Sequence, residues 1–490
     1  MTSSSALTRR PRYHFSVPDN WKNDPQRPIF VDGEYHYYYL YNADYLAGGI
    51  GTSWRRATTR DHVRFVDQGI AIEKFTNAEG DCWSGSLVVD AQNTAGFGEG
   101  AIVALVTQAG VDRVPEGGQA QFLWYSVDGG RTFRPGHEGP VLTAEQTPDF
   151  RDPKVIWDAR RERWFMALAE GDRLGFYASP DLTSWSRVGE FARDDLGLLE
   201  CPDIFEMTAD DGSSTWILGV SANAKHRGLP ATYAYWSGEF DGTGFVADAH
   251  EPSWLDWGFD FYGAVTYPHH LVDGAEDPRM RHVIGWANFW DYPHNTPTIV
   301  SDGYNGDDMI VRDLRLVRDD RGYRLLSAPT AALTSYTTRI HELGEFEVRG
   351  HFDLDVRSDA YELTTELRWD TQVTDVGLEV CRSRGGTRLV GAGVDVSASE
   401  VYLDRSLTGN PMPGRTIAPL RRTMARKVDI RLLVDRTSVE LFVGDGEIVL
   451  SHRVFPLAGD EGIRLHSRGG STAFRDVTIR ELAVLPEPRS

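Results

Sequence analysis

The chain has 490 residues, of which 41% are hydrophobic, 25% charged and 11% aromatic, a globular composition long enough for two or three domains. Its formal net charge of −21 argues against nucleic acid as a partner, since affinity for a phosphate backbone needs clustered Lys and Arg, and equally against an anionic membrane surface. The acidic balance fits a neutral substrate, and no stretch approaches the roughly 20 apolar residues of a membrane span.

The opening segment, Met1–Arg10, lacks an apolar h-region and does not read as a signal peptide. A secreted protein with its leader removed is the expectation. Short strand patterns follow, such as Glu34–Tyr41, Ala101–Val106, Arg163–Leu168 and Thr215–Val220. They are rich in aromatic and β-branched residues and are bounded by turn signals such as Asp32-Gly33, Asp128-Gly129-Gly130 and Asp211-Gly212. Long helical periodicity is scarce, so the fold class is all-β. One element recurs loosely: a strand, a turn containing Asp, then an aromatic. It runs through Trp54–Asp61 to Phe65, Leu123–Gly130 to Phe133, and Gly175–Leu182 to Trp185. Propeller blades with variable insertions produce such a recurrence, and a large sandwich can imitate it.

A small-residue stretch, Ser327–Leu333, precedes segments of clean period two, including Glu345–Arg349, Lys427–Val434 and Ser438–Val443. Their charged outer positions are those of a β-sandwich. The boundary is read near residue 335, giving domains 1–334 and 335–490. The three cysteines, Cys82, Cys201 and Cys381, have no metal-type spacing and read as buried free thiols. His269-His270 would point to opposite faces of a strand, and Asp307-Asp308 reads as a solvated turn.

Three acidic motifs stand out: Asn23-Asp24-Pro25, Arg151-Asp152-Pro153 and Glu200-Cys201-Pro202-Asp203. Proline fixes its own φ and extends the residue before it, which places each carboxylate at a strand end or sharp bend. Carboxylates held rigidly around one pocket are what glycosidic bond cleavage requires.

In that order, Trp21-Lys22-Asn23-Asp24-Pro25 and its two partners resemble the signature set of glycoside hydrolase family 32, the fructan-active β-fructosidases. Trp83-Ser84-Gly85-Ser86, Asp260–Ala264, His282–Asn288 and Val434–Phe442 extend the resemblance over nearly the whole chain. It implies a five-bladed β-propeller with an axial active site, followed by a β-sandwich. It also implies that Asp24 is the nucleophile, Glu200 the acid/base and Asp152 the stabiliser that binds the fructosyl hydroxyls. The expected carboxyl separation is the retaining value of roughly 5–5.5 Å. Arg151 and Asp203 either contact the fructosyl unit or form structural ion pairs. Trp54, Trp83 and Trp286, with Trp21 and Trp290, either line the funnel or pack the core. Asn23, Ser84 and Leu40 complete the expected substrate-binding set.

The chain also departs from the family. Asn-Asp-Pro continues with Gln26-Arg27 where the family usually has Asn-Gly, and Leu40 replaces an expected Gln. Asn-Asp-Pro-Gln-Arg-Pro resembles the run in levan fructotransferases, which release a cyclic difructose dianhydride. Intramolecular transfer on levan is therefore the expected reaction, with an exo-acting levanase or inulinase-type hydrolase as the alternative. An inverting arabinan glycosidase and a non-catalytic carbohydrate-binding protein are further alternatives. The carboxylates call for no metal or cofactor, and a monomer or homodimer is expected.

Overall fold

The computed structural model describes residues 8–77, 80–109, 118–143, 147, 149–421 and 426–485, so most of Met1–Arg10 lies outside it. Five units, each built on four antiparallel strands and some carrying a short fifth strand, follow one another along the chain. Their innermost strands are Asn20–Val31, Cys82–Asp90, Arg151–Asp158, Leu199–Thr208 and Tyr262–His270. Each of these touches the innermost strands of the blades beside it, which closes a five-bladed propeller. The short strand Tyr304–Asn305 comes from the fifth blade and runs parallel to Asn20–Trp21 of the first. It locks the ring where an open sheet edge would otherwise remain.

The propeller has no single core. Five apolar clusters lie between successive blades. Trp54, Leu87 and Phe122 sit between the first and second, and Leu105, Val155 and Met166 between the second and third. Phe176, Ile204 and Trp236 follow, then Phe205, Ile217 and Leu314, and Tyr37, Val265 and Ile284 close the circle. Strands squeezed between two blades are buried on both faces, which is why Ala101–Gln108 is an unbroken buried run. The recurring aspartates are the turns that follow third strands. Asp61, Asp128, Asp181 and Asp241 each accept two backbone N–H groups just ahead of them, an Asx turn.

All five innermost strands share one irregularity. In each, three residue steps oppose two on the neighbouring strand, so one extra residue is inserted. The bulges contain Asn23-Asp24, Trp83-Ser84, Asp152-Pro153, Cys201-Pro202 and Gly263-Ala264. Asp152, Cys201 and Gly263 take left-handed φ values of 62°, 50° and 55°. Bulges of this kind re-aim side chains, and here those of the first three blades turn Asn23, Asp24, Trp83, Ser84 and Asp152 toward one end of the axis.

After the last propeller strand, Gly322–Pro329, a 3₁₀ turn at Ala331–Tyr336 leads into the ten-stranded β-sandwich. Its long final strand, Gly462–Leu482, pairs with Asp375–Arg382 through its first half and with Tyr361–Trp369 through its second. The two domains meet through buried charges. Arg312 Nη2 donates to Asp256 and Glu440 at 2.8 Å each and to Ser451 Oγ at 2.6 Å. His14 bridges Asp435 and Glu440 at 2.9 Å each. Arg405 of the sandwich donates to Asp260 at 2.5 Å, and Arg453 Nη2 donates to Asp307 at 2.8 Å. Asp307-Asp308 is therefore not a solvated turn: Asp308 is fully buried and receives Lys22 and Tyr37. The three cysteines are free and buried.

Burial works against the His14 charge, but hydrogen bonds and charges from Asp435 and Glu440 raise its pKa to about 9. A His raised in the folded state stabilises fully below its unfolded value near 6.5 and loses that contribution as pH rises through 9. Thermal melts from pH 6 to pH 10 should lose about 3 kcal/mol to this group. The His14→Gln protein should be less stable at pH 6 and should lack this component of the slope.

Candidate active site

The end of the axis toward which the bulges turn holds a cavity of about 660 Å³, within the roughly 300–1,000 Å³ of small-molecule sites. One part of its lining is polar: Asn23, Asp24, Ser84, Arg151, Asp152 and Glu200. The other is mostly apolar, with Trp21, Leu40, Tyr45, Ile50, Trp83 and Trp290. Ile50 is 77% exposed and Trp290 42%, an apolar margin suited to the CH faces of a sugar.

Asp24 Oδ2 accepts the Ser84 hydroxyl at 2.9 Å. Its Oδ1 has no protein hydrogen-bond partner and lies in a notch left by Gly263. A Cβ at Gly263 would sit 2.6 Å from that oxygen. Glu200 Oε1 receives Arg151 Nη2 at 3.1 Å and Nε at 3.3 Å, and Oε2 receives the Tyr262 hydroxyl at 2.5 Å. Asp152 Oδ2 accepts the Cys201 amide at 3.0 Å. The Cys201 thiol lies between the two aspartates, 3.7 Å from Asp152 and 4.0 Å from Asp24.

These contacts set the proton affinities. Burial, then the charges of Asp152 and Glu200, push Asp24 up to about 7, while Ser84 and Lys22 pull the other way. Burial raises Glu200, and Asp152 adds to it against the opposing Arg151 and Tyr262. Burial also raises Asp152 despite Arg151 and the Cys201 amide. Three carboxyls this close titrate as a set, so the cluster holds a proton well above the usual carboxylate range. One protonated acid beside one ionised nucleophile is the state that acid-assisted displacement at an acetal carbon needs.

The expected site residues divide. Asp24, Asp152, Glu200, Asn23, Arg151, Ser84, Leu40 and Trp83 all line the cavity. Trp54 does not: it lies on the third strand of its blade, two strands from the axis, and packs fully buried between blades one and two. Its indole donates to the Trp83 carbonyl at 2.9 Å. Trp286 is also fully buried, behind Trp21 and Trp290. Asp203 lies beneath the cavity as an ion-pair partner. It accepts Lys154 Nζ and the Thr266 amide at 2.9 Å each. Burial opposes its charge, but Lys154, Arg27 and Arg281 hold its carboxyl well below the ordinary range. Gln26 and Arg27 are buried below the wall and are not part of it.

Sequence reasoning missed Tyr262, although it sits in the quoted Asp260–Ala264 segment, one residue before its bulge like Arg151 and Glu200. It also missed Gln119, Asp149, Asp81 and His294, cavity residues with no pattern to mark them. Gln119 and Asp149 hold Arg151 Nη1 from the side away from Glu200.

The family model for the glycosyl hydrolases family 32 N-terminal domain matches residues 14–329, and that for the family 32 C terminal matches 330–481. A levanbiose-producing levanase of Bacillus subtilis (strain 168) is 44% identical over 482 residues, covering 98% of this chain and 92% of that protein. A levanbiose-producing levanase of Geobacillus stearothermophilus is 43% identical over 394 residues, 80% of this chain and 98% of its own. Among solved structures, an exo-inulinase from Aspergillus awamori superposes with a TM-score of 0.86 at 26% identity, over 98% of this chain and 99% of that one.

Two measurements check this geometry. Ser84→Ala removes a bond to the Asp24 carboxylate and should move the acid limb of kcat/KM upward by about one pH unit. Gly263→Ala should displace Asp24 and lower kcat about 10²-fold, since a misplacement near 1 Å has that effect. A third reads stability. The raised Asp24 pKa means its ionisation destabilises the fold, an effect absent below the unfolded value near 3.8 and full above about 7. Asp24→Asn should therefore melt higher than the parent at pH 8, by up to about 4 kcal/mol, and the gap should close toward pH 4.

Proposed function

Because the chain belongs to glycosyl hydrolase family 32, as both domain matches establish, we propose that it hydrolyses levan and releases short β-2,6-linked fructo-oligosaccharides, levanbiose first among them. The observation that carries this reading is the 44% identity to a levanbiose-producing levanase across 98% of the chain. The cavity's chemistry supports it.

In the first step an oxygen of the Asp24 carboxylate bonds to the anomeric carbon of the fructosyl unit. The glycosidic C–O bond breaks, and the Glu200 proton passes to the departing oxygen. Asp152 binds the ring hydroxyls and favours the cationic transition state. In the second step the Glu200 carboxylate takes a proton from water, the water oxygen bonds to the anomeric carbon, and Asp24 leaves. This double displacement retains configuration and implies carboxyls roughly 5–5.5 Å apart. Arg151 and Tyr262 fix the Glu200 carboxyl through both steps, Arg151 with two bonds to Oε1 and Tyr262 with one to Oε2. A polymer of this size is met outside the cell, and we propose that the enzyme acts there.

Intramolecular transfer is the weaker reading. Three relatives at 44%, 43% and 32% identity are levanases, and others that match 96–97% of the chain are exo-inulinases. Gln26 and Arg27, which suggested transfer, lie below the cavity wall and cannot choose the acceptor by touching it. Leu40 does line the cavity, and it supplies the one argument for a drier intermediate.

Digestion of levan followed by chromatography of the early products is the test. Linear levanbiose and its homologues are expected, and Asp24→Asn should reduce turnover at least 10³-fold while still binding levan. Difructose dianhydride as the main early product would replace hydrolysis by transfer. Free fructose from the outset would assign exo-hydrolysis.

A further inference from the structure

Arg27 stands where the family resemblance leads one to expect glycine, and its side chain occupies an unusual place. A second register shift, between Gln26 and Ile29, follows the first on the same strand. The Arg27 side chain runs from it beneath the cavity and is 5% exposed. Nη1 donates to the Gly85 carbonyl at 3.2 Å and to the Pro153 carbonyl at 3.4 Å. Nη2 donates to the Pro202 carbonyl. Nε lies 3.9 Å from Asp203.

Those three carbonyls share a structural position. Pro153 and Pro202 lie inside the bulges of the third and fourth blades, where neither has a cross-strand partner. Gly85 directly follows the bulge of the second blade. One side chain from the first blade therefore bonds to the inner strands of the next three. Ser84 and Asp152 each directly precede one of those carbonyl residues, and Glu200 lies two residues before the third, Pro202. Gln26 supports the same arrangement on the second blade: its Oε1 accepts the Gly85 amide at 2.7 Å, and its Nε2 donates to Ser84 at 3.3 Å.

We propose that Arg27 is a positioning residue for the fructosyl chemistry, its guanidinium bolting the bulges of three blades to the strand that carries Asp24 and so fixing Ser84, Asp152 and Glu200 around it. The inference rests on the reading of Asp24 and Glu200 as nucleophile and acid. The planar fork is essential, because an ammonium group cannot hold the same three carbonyls in fixed directions. Arg27 also carries a permanent charge below the carboxylates. That charge acts with Arg151 to favour the ionised form of Asp152.

The test compares Arg27→Lys, Arg27→Met and Asp24→Asn with the parent on levan, reading kcat, KM, the pH profile and the melting temperature of each folded protein. Arg27→Lys keeps the charge and loses the fork. Its kcat should fall 10- to 100-fold, with KM changed less than threefold and the acid limb unmoved. Arg27→Met loses both, and its acid limb should also shift to higher pH as Asp152 becomes easier to protonate. A role confined to stability would lower the melting temperature and leave kcat and the pH profile of the folded protein at parental values. That result in Arg27→Lys, which keeps the buried charge paired and is the variant better able to fold, overturns the proposal. An active Asp24→Asn overturns the underlying catalytic reading instead, so the two failures are distinguishable.

Discussion

Five β-bulges at one level of a propeller axis are the constraint on which this molecule depends. A regular strand alternates its side chains between two faces. In a propeller both faces are pressed against neighbouring blades, as the five inter-blade clusters show. A regular inner strand therefore buries its side chains in apolar contacts and offers none to the axis. One inserted residue breaks the alternation and turns polar groups inward. The left-handed backbone of Asp152 and Cys201 is the strain that accompanies this, on the order of 1–3 kcal/mol for each such residue. The surrounding ladders hold it.

Crowding carboxyls into that ring has an electrostatic consequence. Burial raises all three proton affinities, and neighbouring carboxylates raise those of Asp24 and Glu200 further, so a site with an available proton follows. Selective contacts keep the three from becoming equivalent. Ser84 favours the charge on Asp24, and the Cys201 amide does so on Asp152. Below them a second layer, containing Arg27, Lys154, Arg281 and Asp203, carries excess positive charge. Burial lowers Lys154 to about 8, while Asp203 works to keep its charge. The lower layer thus offsets part of the repulsion above it without entering the cavity.

The sandwich reaches the site as well. Arg405 donates to both Asp260 and the Tyr292 hydroxyl, and the Arg453 amide donates to Asp260 at 2.7 Å. Asp260 lies two residues before Tyr262, which holds Glu200. Tyr292 sits between Trp290 and His294 of the cavity lining. The Pro293 carbonyl of that loop accepts Trp21 Nε1 and Asn305 Nδ2, and Asn305 is in turn held by Arg453 at 2.8 Å. Two sandwich arginines therefore brace both the strand behind Glu200 and the loop beside the cavity.

Much of this was written in the chain. The Asp-containing turns after third strands, the period-two pattern of Lys427–Asp435 and the ordered acidic motifs are local signals; the strand patterns determined the all-β class, and the resemblance carried by the motifs supplied the five-bladed propeller followed by a sandwich and pointed to the three carboxylates that the fold brings to one cavity. Other features are decided by which strand of a blade a residue occupies. Trp54 and Trp83 look alike in the sequence, yet one is two strands from the axis and the other is in a bulge. Asp203 belongs to the same motif as Glu200, yet the inserted residue between them sends one into the cavity and the other to Lys154. Asp307-Asp308 reads as a turn because its partners, Arg453, Lys22 and Tyr37, are distant in the chain. Arg27 reads as a change in the cavity wall, and only the convergence of four blades at the axis reveals it as the bolt beneath. Period and motif are properties of neighbours along the chain, whereas depth along a propeller axis is set by contacts among blades, and those exist only in the folded ring.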